Sequence, residues 1–170
     1  MYLKLMGAAL VVLGSGATGF VMAANHKAEE KSLQQLLSIL DYMECELQYR
    51  LTPLPMLCKQ AANEADGILK KLMYDFSAEL EDQISPDVSS CMYAALNKHG
   101  NIPPKTLKCL KILGSSLGRF DLEGQLKGLE AVRSMCRGLL KALEKDKDVR
   151  RRSYRTISLC AGAALAILLL

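Results

Sequence analysis

The sequence predicts an all-α protein, an antiparallel helical bundle of about six helices flanked by an N-terminal and a short C-terminal transmembrane helix. Three observations lead to this prediction. Apolar residues recur at spacings of three and four along most of the chain, which is the period of an amphipathic helix. A long uncharged stretch occupies each end of the chain. No stretch alternates between apolar and polar residues as a half-buried strand does, so helices packed on helices are the simplest architecture.

The first predicted element is a transmembrane helix within residues 1–24. Residues 5–24 carry no charge, and twenty helical residues extend about 30 Å, roughly the thickness of the hydrocarbon core of a bilayer. A secretory signal peptide is the alternative, because Lys4 precedes the apolar stretch and small residues lie near Ala24. The arginines near the C-terminus, described below, favour the uncleaved helix.

An apolar stripe that ends near Leu51 predicts the first helix of the central domain. Its members are Leu33, Leu36, Leu37, Leu40, Met43, Leu47 and Leu51. We expect Thr52 to cap the second helix, with Pro53 in its first turn, where a missing N–H costs nothing. This helix continues toward Gly67. A third helix follows from about residue 68 to residue 82.

Three further helices complete the predicted bundle. Ser85 and Pro86 repeat the pattern of a cap followed by proline and predict the start of the fourth helix, which ends by Gly100. A rigid connector with two prolines, residues 102–104, leads into the fifth helix. Asp121 is the expected N-cap of a long sixth helix. The apolar stripe of the sixth helix comprises Leu122, Leu126, Leu129, Val132, Cys136, Leu139 and Leu143.

The last predicted element is a short transmembrane helix over residues 156–170. Fifteen helical residues extend only about 22 Å, so this helix is marginal for a full crossing. A cluster of arginines precedes it, and positively charged segments beside membrane helices stay on the cytosolic side. We therefore expect an integral membrane protein with a cytosolic domain over residues 25–155. The arginines expected at the surface of the lipid bilayer are Arg150, Arg151, Arg152 and Arg155.

The cysteine pattern agrees with a cytosolic domain. Five of the six cysteines lie between the two apolar segments, at wide and irregular spacing. An odd number at such spacing does not form a disulfide framework and suits a reducing compartment. These five are Cys45, Cys58, Cys91, Cys109 and Cys136.

Charge is distributed unevenly along the domain. Residues 25–97 carry six Lys and Arg against twelve Asp and Glu, whereas residues 98–155 carry fifteen against six. Lys105, Lys108 and Lys111 lie at every third position of the fifth helix. Together with Arg119 they are the candidate residues for binding a protein partner, and the alternative is a solvated face. Nucleic acid is not an expected partner, since the chain has no Trp and no nucleic-acid motif.

No catalytic, metal or cofactor site is predicted. The short motifs of zinc proteases, serine hydrolases, phosphate loops and paired-cysteine metal sites are absent from the sequence. His26 lies just beyond the first apolar segment and His99 lies just before a glycine, so each is more simply a boundary residue than a base. We therefore expect a protein without enzymatic activity.

Two stretches of the sequence carry distinctive motifs, DYMECELQYRLTPLPMLCKQAA and LKILGSSLGRFDLEGQLKGLE. The residues that define them are Glu46, Tyr49, Thr52, Pro53 and Leu54 in the first motif, and Leu113, Gly114, Leu117, Gly118, Asp121 and Gln125 in the second. In these residues the chain resembles the stage III sporulation protein AB family. Chain length, the N-terminal apolar segment, the helical middle and the apolar end agree with this family as well.

The resemblance implies a role in assembly. That family is similar to the cytoplasmic domains of platform proteins of type II secretion and type IV pilus machines. In endospore-forming bacteria it belongs to a channel complex between mother cell and forespore, on the outer forespore membrane. The implied partners are a cytosolic secretion-type ATPase, other membrane components of the channel and further copies of the chain. A lipid-surface scaffold or tether without a motor partner is the alternative function.

The matched residues have local structural explanations. Thr52 and Pro53 are expected to start a helix, and Asp121 to cap one. Gly114 and Gly118, four residues apart, are expected to permit close helix approach or to end the fifth helix. We therefore interpret these residues as maintaining the fold first and contacting partners second.

Overall fold

The structure is a computed structural model and contains only helices and connecting turns in the part of the chain that it describes. It describes the backbone of residues 2–50, 52–82, 87–118 and 121–169, and the side chains of residues 25–50, 52–82, 87–118 and 121–147. The helices in this part are α1 (Tyr2–Tyr49), α2 (Leu54–Ala61), a 3-10 turn (Ala62–Glu64), α3 (Gly67–Glu81), α4 (Val88–Asn97), α5 (Pro104–Ser116) and α6 (Leu122–Leu169). The predicted all-α class is therefore confirmed.

Helices α1 and α6 run antiparallel along the bundle. Lys147 of α6 pairs with Glu30 of α1, and Arg133 Nη2 lies 2.7 Å from Asp41 Oδ1. The residue numbers of α1 rise in the direction in which those of α6 fall. The N-terminal part of α1 and the C-terminal part of α6 therefore leave the bundle at the same end. We call this end the terminal end and define it by Glu29, Glu30, Lys105 and Lys147.

Helix α5 begins at the terminal end as well. The carboxylate Oε1 of Glu29 accepts a hydrogen bond of 2.5 Å from the backbone N–H of Lys105, which is the second residue of α5. Helices α2 and α3 lie alongside each other near the opposite end, where the Ser77 hydroxyl donates a hydrogen bond of 2.8 Å to the carbonyl of Pro55.

The core lies along the predicted apolar stripes. In α1, four residues of the stripe (Leu33, Leu36, Leu40 and Met43) have no exposed surface and Leu47 is 6% exposed. In α6, Leu129, Val132, Cys136 and Leu143 of the stripe are buried and Leu139 is half-buried, but Leu122 is 39% exposed. Each fully buried leucine contributes about 1.5–3 kcal/mol of hydrophobic free energy, so the interlocking stripes stabilise the bundle.

The predicted membrane segments lie outside the described side chains. Residues 5–24 and 156–169 form the outer parts of α1 and α6 in the described backbone, and residue 170 lies outside it. Among the described side chains, those of residues 25–50, 52–82, 87–118 and 121–147, no helix is long and apolar enough to span a membrane. The domain boundaries at residues 24 and 155 stay predictions.

One predicted helix start is wrong, and a second falls outside the described residues. Helix α2 begins at Leu54 with Pro53 as the N-cap residue, and the proline side chain cannot form a capping hydrogen bond. The Thr52 hydroxyl instead donates a hydrogen bond of 3.0 Å to Glu46 Oε2. Helix α4 is capped by Asp87, whose carboxylate accepts a 2.6 Å hydrogen bond from the backbone N–H of Ser90. The predicted start of this helix at residues 85–86 lies outside the described residues.

The predicted start of α6 is confirmed. Asp121 Oδ1 accepts a hydrogen bond of 3.0 Å from the backbone N–H of Gly124, and the Asp121 carbonyl accepts one of 2.9 Å from the N–H of Gln125. This is the bonding pattern of an aspartate at an N-cap. No proline follows, and the described α6 continues to Leu169 without a break.

Candidate functional site

The two sequence motifs meet at the end of the bundle opposite the terminal end. Gly118 has φ +73°, and a Cβ added to it would lie 2.3 Å from Val88 Cγ2 and 3.8 Å from Leu54 Cδ2. The first motif therefore packs against the second through Leu54 and Gly118. We call this end the motif end. It comprises Tyr49, residues 52–56, Leu117, Gly118 and residues 121–125.

Gly114 brings helices α4 and α5 together one turn inside the motif end. A Cβ at this position would lie 2.6 Å from Met92 Cβ, a separation that real Cβ atoms do not show. The neighbouring motif residues Leu113 and Leu117 are fully buried. The predicted close approach is thus confirmed for Gly114, whereas Gly118 both ends α5 in a left-handed conformation and permits a close approach.

Glu46 orders the turn between α1 and α2. Glu46 is 8% exposed. Its carboxylate accepts a hydrogen bond from the Thr52 hydroxyl and lies 3.4 Å from Arg50 Nη1. A buried carboxylate needs such partners, because burial of an unpaired charge is costly. Burial and the neighbouring Glu46 carboxylate raise the pKa of Tyr42. The motif residues Glu46 and Thr52 thus hold each other and fix the entry to α2.

The surface of the motif end exposes large apolar side chains. Tyr49 is 80% exposed, Met56 is 54% exposed and Leu122 is 39% exposed. Exposed aromatic residues and methionine are enriched where proteins bind one another. The arrangement suits the binding of a protein partner. Arg119, a candidate for such binding, lies outside the described residues.

The lysines of α5 lie on a different part of the bundle. Lys108 and Lys111 are exposed and Lys105 is half-buried, and Lys111 Nζ lies 5.5 Å from the centre of the Tyr93 ring. Lys105 belongs to the terminal end, because its backbone N–H binds Glu29. The structure therefore separates the lysines from the motif end. Arg150, Arg151, Arg152 and Arg155 lie outside the described side chains.

Comparison with known proteins identifies the family. The model of the stage III sporulation protein AB family matches residues 4–170. The chain belongs to this family. A curated relative, stage III sporulation protein AB of Bacillus subtilis (strain 168), is 26% identical over 171 residues, and the match covers 99% of each chain. A solved structure of stage III sporulation protein AB superposes with a TM-score of 0.63 at 21% identity, covering 72% of this chain and 98% of that chain.

The described residues also contain titratable side chains outside the two motifs. Within them, no group of three or more His, Cys, Asp and Glu could hold a metal ion. His99 Nε2 lies 2.6 Å from Asp75 Oδ2, which links the turn after α4 to α3. Burial raises the pKa of the Cys58 thiol, so its reactive thiolate form is disfavoured. These contacts stabilise packing between helices.

Two polar residues important for the domain were not found from the sequence. Glu29 is 8% exposed and binds the N-terminus of α5 from a position 76 residues earlier in the chain. Arg133 of α6 pairs with Asp41 and Glu44 of α1 and with Glu130 of its own helix. Neither role has a local signal in the sequence, because each depends on which helices become neighbours.

We expect Glu29→Ala to lower the free energy of unfolding by about 1–2 kcal/mol, since it removes the carboxylate that caps α5. Glu29→Gln should cost less, because its amide oxygen can still accept the hydrogen bond from Lys105. Chemical denaturation of the full chain in detergent micelles, followed by circular dichroism, measures both values. Equal losses for the two variants would contradict the role of Glu29 as a hydrogen-bond acceptor.

Proposed function

We propose that this protein is a membrane-anchored platform component of the channel between mother cell and forespore, a secretion-like complex required for endospore formation. In this role it docks a cytosolic secretion-type ATPase and catalyses no reaction itself. The observation that carries the proposal is the meeting of the two family motifs at the motif end. This end is opposite the one from which α1 and α6 continue toward the apolar segments.

The geometry suits a body that is held at one end and binds at the other. The apolar segments of residues 5–24 and 156–170 would anchor α1 and α6 in the bilayer. Tyr49 follows Ala24 by 25 helical residues, so the motif end would lie about 38 Å from the hydrocarbon core. A motor too large to approach the bilayer would reach this surface easily.

The side chains of the motif end also suit such a partner. Tyr49 and Met56 are the most exposed large apolar residues among the described ones. Contacts between neighbouring segments hold the backbone beneath them: Gly118 packs closely against Val88, and the partly buried Thr52 hydroxyl donates a hydrogen bond to Glu46. A rigid surface loses little conformational entropy when a partner binds. We therefore place the ATPase at the motif end, in preference to the lysines of α5.

We expect the double variant Tyr49→Ala, Met56→Ser to weaken ATPase binding by at least tenfold, because exposed anchors of this type carry most of the energy of an interface. The measurement is a titration of the purified ATPase against the full chain in lipid nanodiscs. Tyr93→Ala is the matched control, since Tyr93 is 47% exposed but lies outside the motif end. It should leave the affinity unchanged.

Three outcomes of this titration separate the functions. Loss of affinity only in the motif-end variant supports the proposed docking. Binding that is equal in all variants moves the docking surface elsewhere on the bundle. If the ATPase fails to bind even the wild-type chain in nanodiscs, the alternative of a scaffold or tether without a motor partner is favoured.

Cys45 can test the proposed orientation in the membrane. It is exposed, whereas Cys58, Cys91, Cys109 and Cys136 are buried. In a Cys160→Ser background, we expect a membrane-impermeant maleimide to label Cys45 only after the cells are permeabilised. Labelling of Cys45 in intact cells would contradict a cytosolic domain and favour the signal-peptide alternative.

A further inference from the structure

The position of α5 brings two of its lysines close to the proposed membrane surface. Glu29 binds the backbone N–H of Lys105, so Lys105 lies at the level of Glu29 along α1. Glu29 follows Ala24 by five residues, which is about 7–8 Å of helix. Lys108 lies about 4–5 Å further from the apolar segment and Lys111 about 9 Å further. The headgroup layer itself is about 5–8 Å thick.

Side-chain direction strengthens this placement. The Cα–Cβ bonds of a helix tilt toward its N-terminus. Helices α1 and α5 both have the N-terminal part of their described side chains at the terminal end. Lysines on these two helices therefore lean toward the apolar segments. Lysines on α6 lean the other way, because α6 runs in the opposite direction.

Helix α1 contributes two more lysines to the terminal end. Lys27 and Lys31 are exposed and line a cavity of about 440 Å³, together with Ala28, Glu30 and Gln34. These lysines are four residues apart on one face of α1, whereas Glu29 faces α5. The terminal end thus carries lysines on two sides of the bundle.

Four of the lysines near the terminal end have no acidic partner within 4.0 Å among the described side chains: Lys27, Lys31, Lys105 and Lys108. Lys98, Lys127 and Lys147, by contrast, each pair with a carboxylate. An anionic surface close to the terminal end would complement the first four lysines.

We propose that the terminal end binds the headgroups of anionic phospholipids through Lys27, Lys31, Lys105 and Lys108. This inference rests on the proposed membrane anchoring of α1 and α6. Each lysine near an anionic surface favours binding by about fivefold, and the effect declines within a Debye length of about 8 Å at physiological salt. Contacts on two sides would hold the bundle upright and direct the motif end away from the bilayer.

The test compares two photoreactive lipids, a phosphatidylglycerol and a phosphatidylcholine with the same headgroup label. The full chain is reconstituted into nanodiscs that contain one or the other, and mass spectrometry measures labelling of residues 101–111. We expect phosphatidylglycerol to label this segment more. The ratio should fall by about fivefold for each lysine removed in Lys105→Gln, Lys108→Gln. Lys59→Gln, Lys127→Gln is the matched control, with the same change of charge at two exposed positions.

The outcomes separate this inference from the proposed function. A wild-type ratio near one, in a chain that is incorporated and binds the ATPase, overturns only the lipid inference. An unchanged labelling ratio in the Lys105→Gln, Lys108→Gln variant also overturns the lipid inference. If that variant then binds the ATPase more weakly, the two lysines contact the ATPase instead. A chain that alkaline carbonate extracts from membranes overturns the anchoring and the lipid inference together.

Discussion

Replacing Gly118 with valine should lower the free energy of unfolding by about 2–5 kcal/mol, the largest loss expected for a single residue of the motif end. Two costs add at this position. A β-branched residue is strained at φ +73°, and a new Cβ would overlap Val88 Cγ2 at 2.3 Å. Chemical denaturation of the full chain in micelles, followed by circular dichroism, measures the loss.

Gly67 provides the matched control for the backbone cost alone. Its φ is +62°, and a Cβ added there would meet no atom within 4 Å. Gly67→Ala should therefore cost about 1 kcal/mol, whereas Gly118→Ala should cost distinctly more because of the overlap with Val88. Equal losses for the two alanine variants would show that Val88 moves aside freely and that Gly118 is needed only for its conformation.

The same variant links the fold to the proposed docking. Because Gly118 holds α5 against the starts of α2 and α4, a larger residue must displace at least one of them. We expect Gly118→Val to weaken ATPase binding in proportion to the unfolded fraction of the protein, whereas Tyr49→Ala, Met56→Ser weakens binding of a fully folded protein. Comparing thermal stability with affinity distinguishes these two mechanisms.

Local spacing was sufficient to predict the helices, because an apolar stripe is a property of neighbouring residues. The exact caps were less predictable. Thr52 has the side chain of a good cap, but its hydroxyl donates a hydrogen bond to the buried carboxylate of Glu46 instead. The sequence indicates that the first helix ends just before Thr52, but it does not indicate that the turn brings the Thr52 hydroxyl back to Glu46.

Contacts between different helices could be predicted only where a glycine indicates that two helices approach closely. Gly114 and Gly118 were expected to permit close approach or to end α5; Gly114 permits close approach, and Gly118 does both. Close approach was not expected at Gly128, although a Cβ there would lie 2.6 Å from Ser116 Cβ, which shows that α5 and α6 also pack closely. The lysines of α5 could be assigned to one face of the helix, but their nearness to the terminal end follows only from the contact between Glu29 and Lys105.

Arg133 is the central charged contact between α6 and α1. Its side chain is 14% exposed and lies 2.7 Å from Asp41 and 3.0 Å from Glu130, with Glu44 in direct contact. Burial alone would lower the pKa of Arg133, but the three carboxylates together raise it. The guanidinium therefore stays charged and offsets the repulsion among three acidic groups.

Arg133→Met should lower the free energy of unfolding by about 2 kcal/mol, because it keeps the packing volume but leaves the three carboxylates without a counter-charge. The value is below the cost of breaking a fully buried pair, since Asp41 and Glu130 are more than half exposed and screened by water. Arg137→Met, at an exposed position of the same helix, is the matched control and should change stability by less than about 0.5 kcal/mol.

Salt and a second substitution identify the physical cause of this loss. If repulsion dominates, added salt should restore part of the stability of Arg133→Met, because exposed carboxylates are screened. Glu44→Gln should stabilise the Arg133→Met protein but destabilise the wild type, so the two substitutions should couple by about 1–2 kcal/mol in a double-mutant cycle. A coupling near zero would mean that Arg133 stabilises α6 against α1 through the packing of its aliphatic stem, and Arg133→Met would then retain nearly wild-type stability.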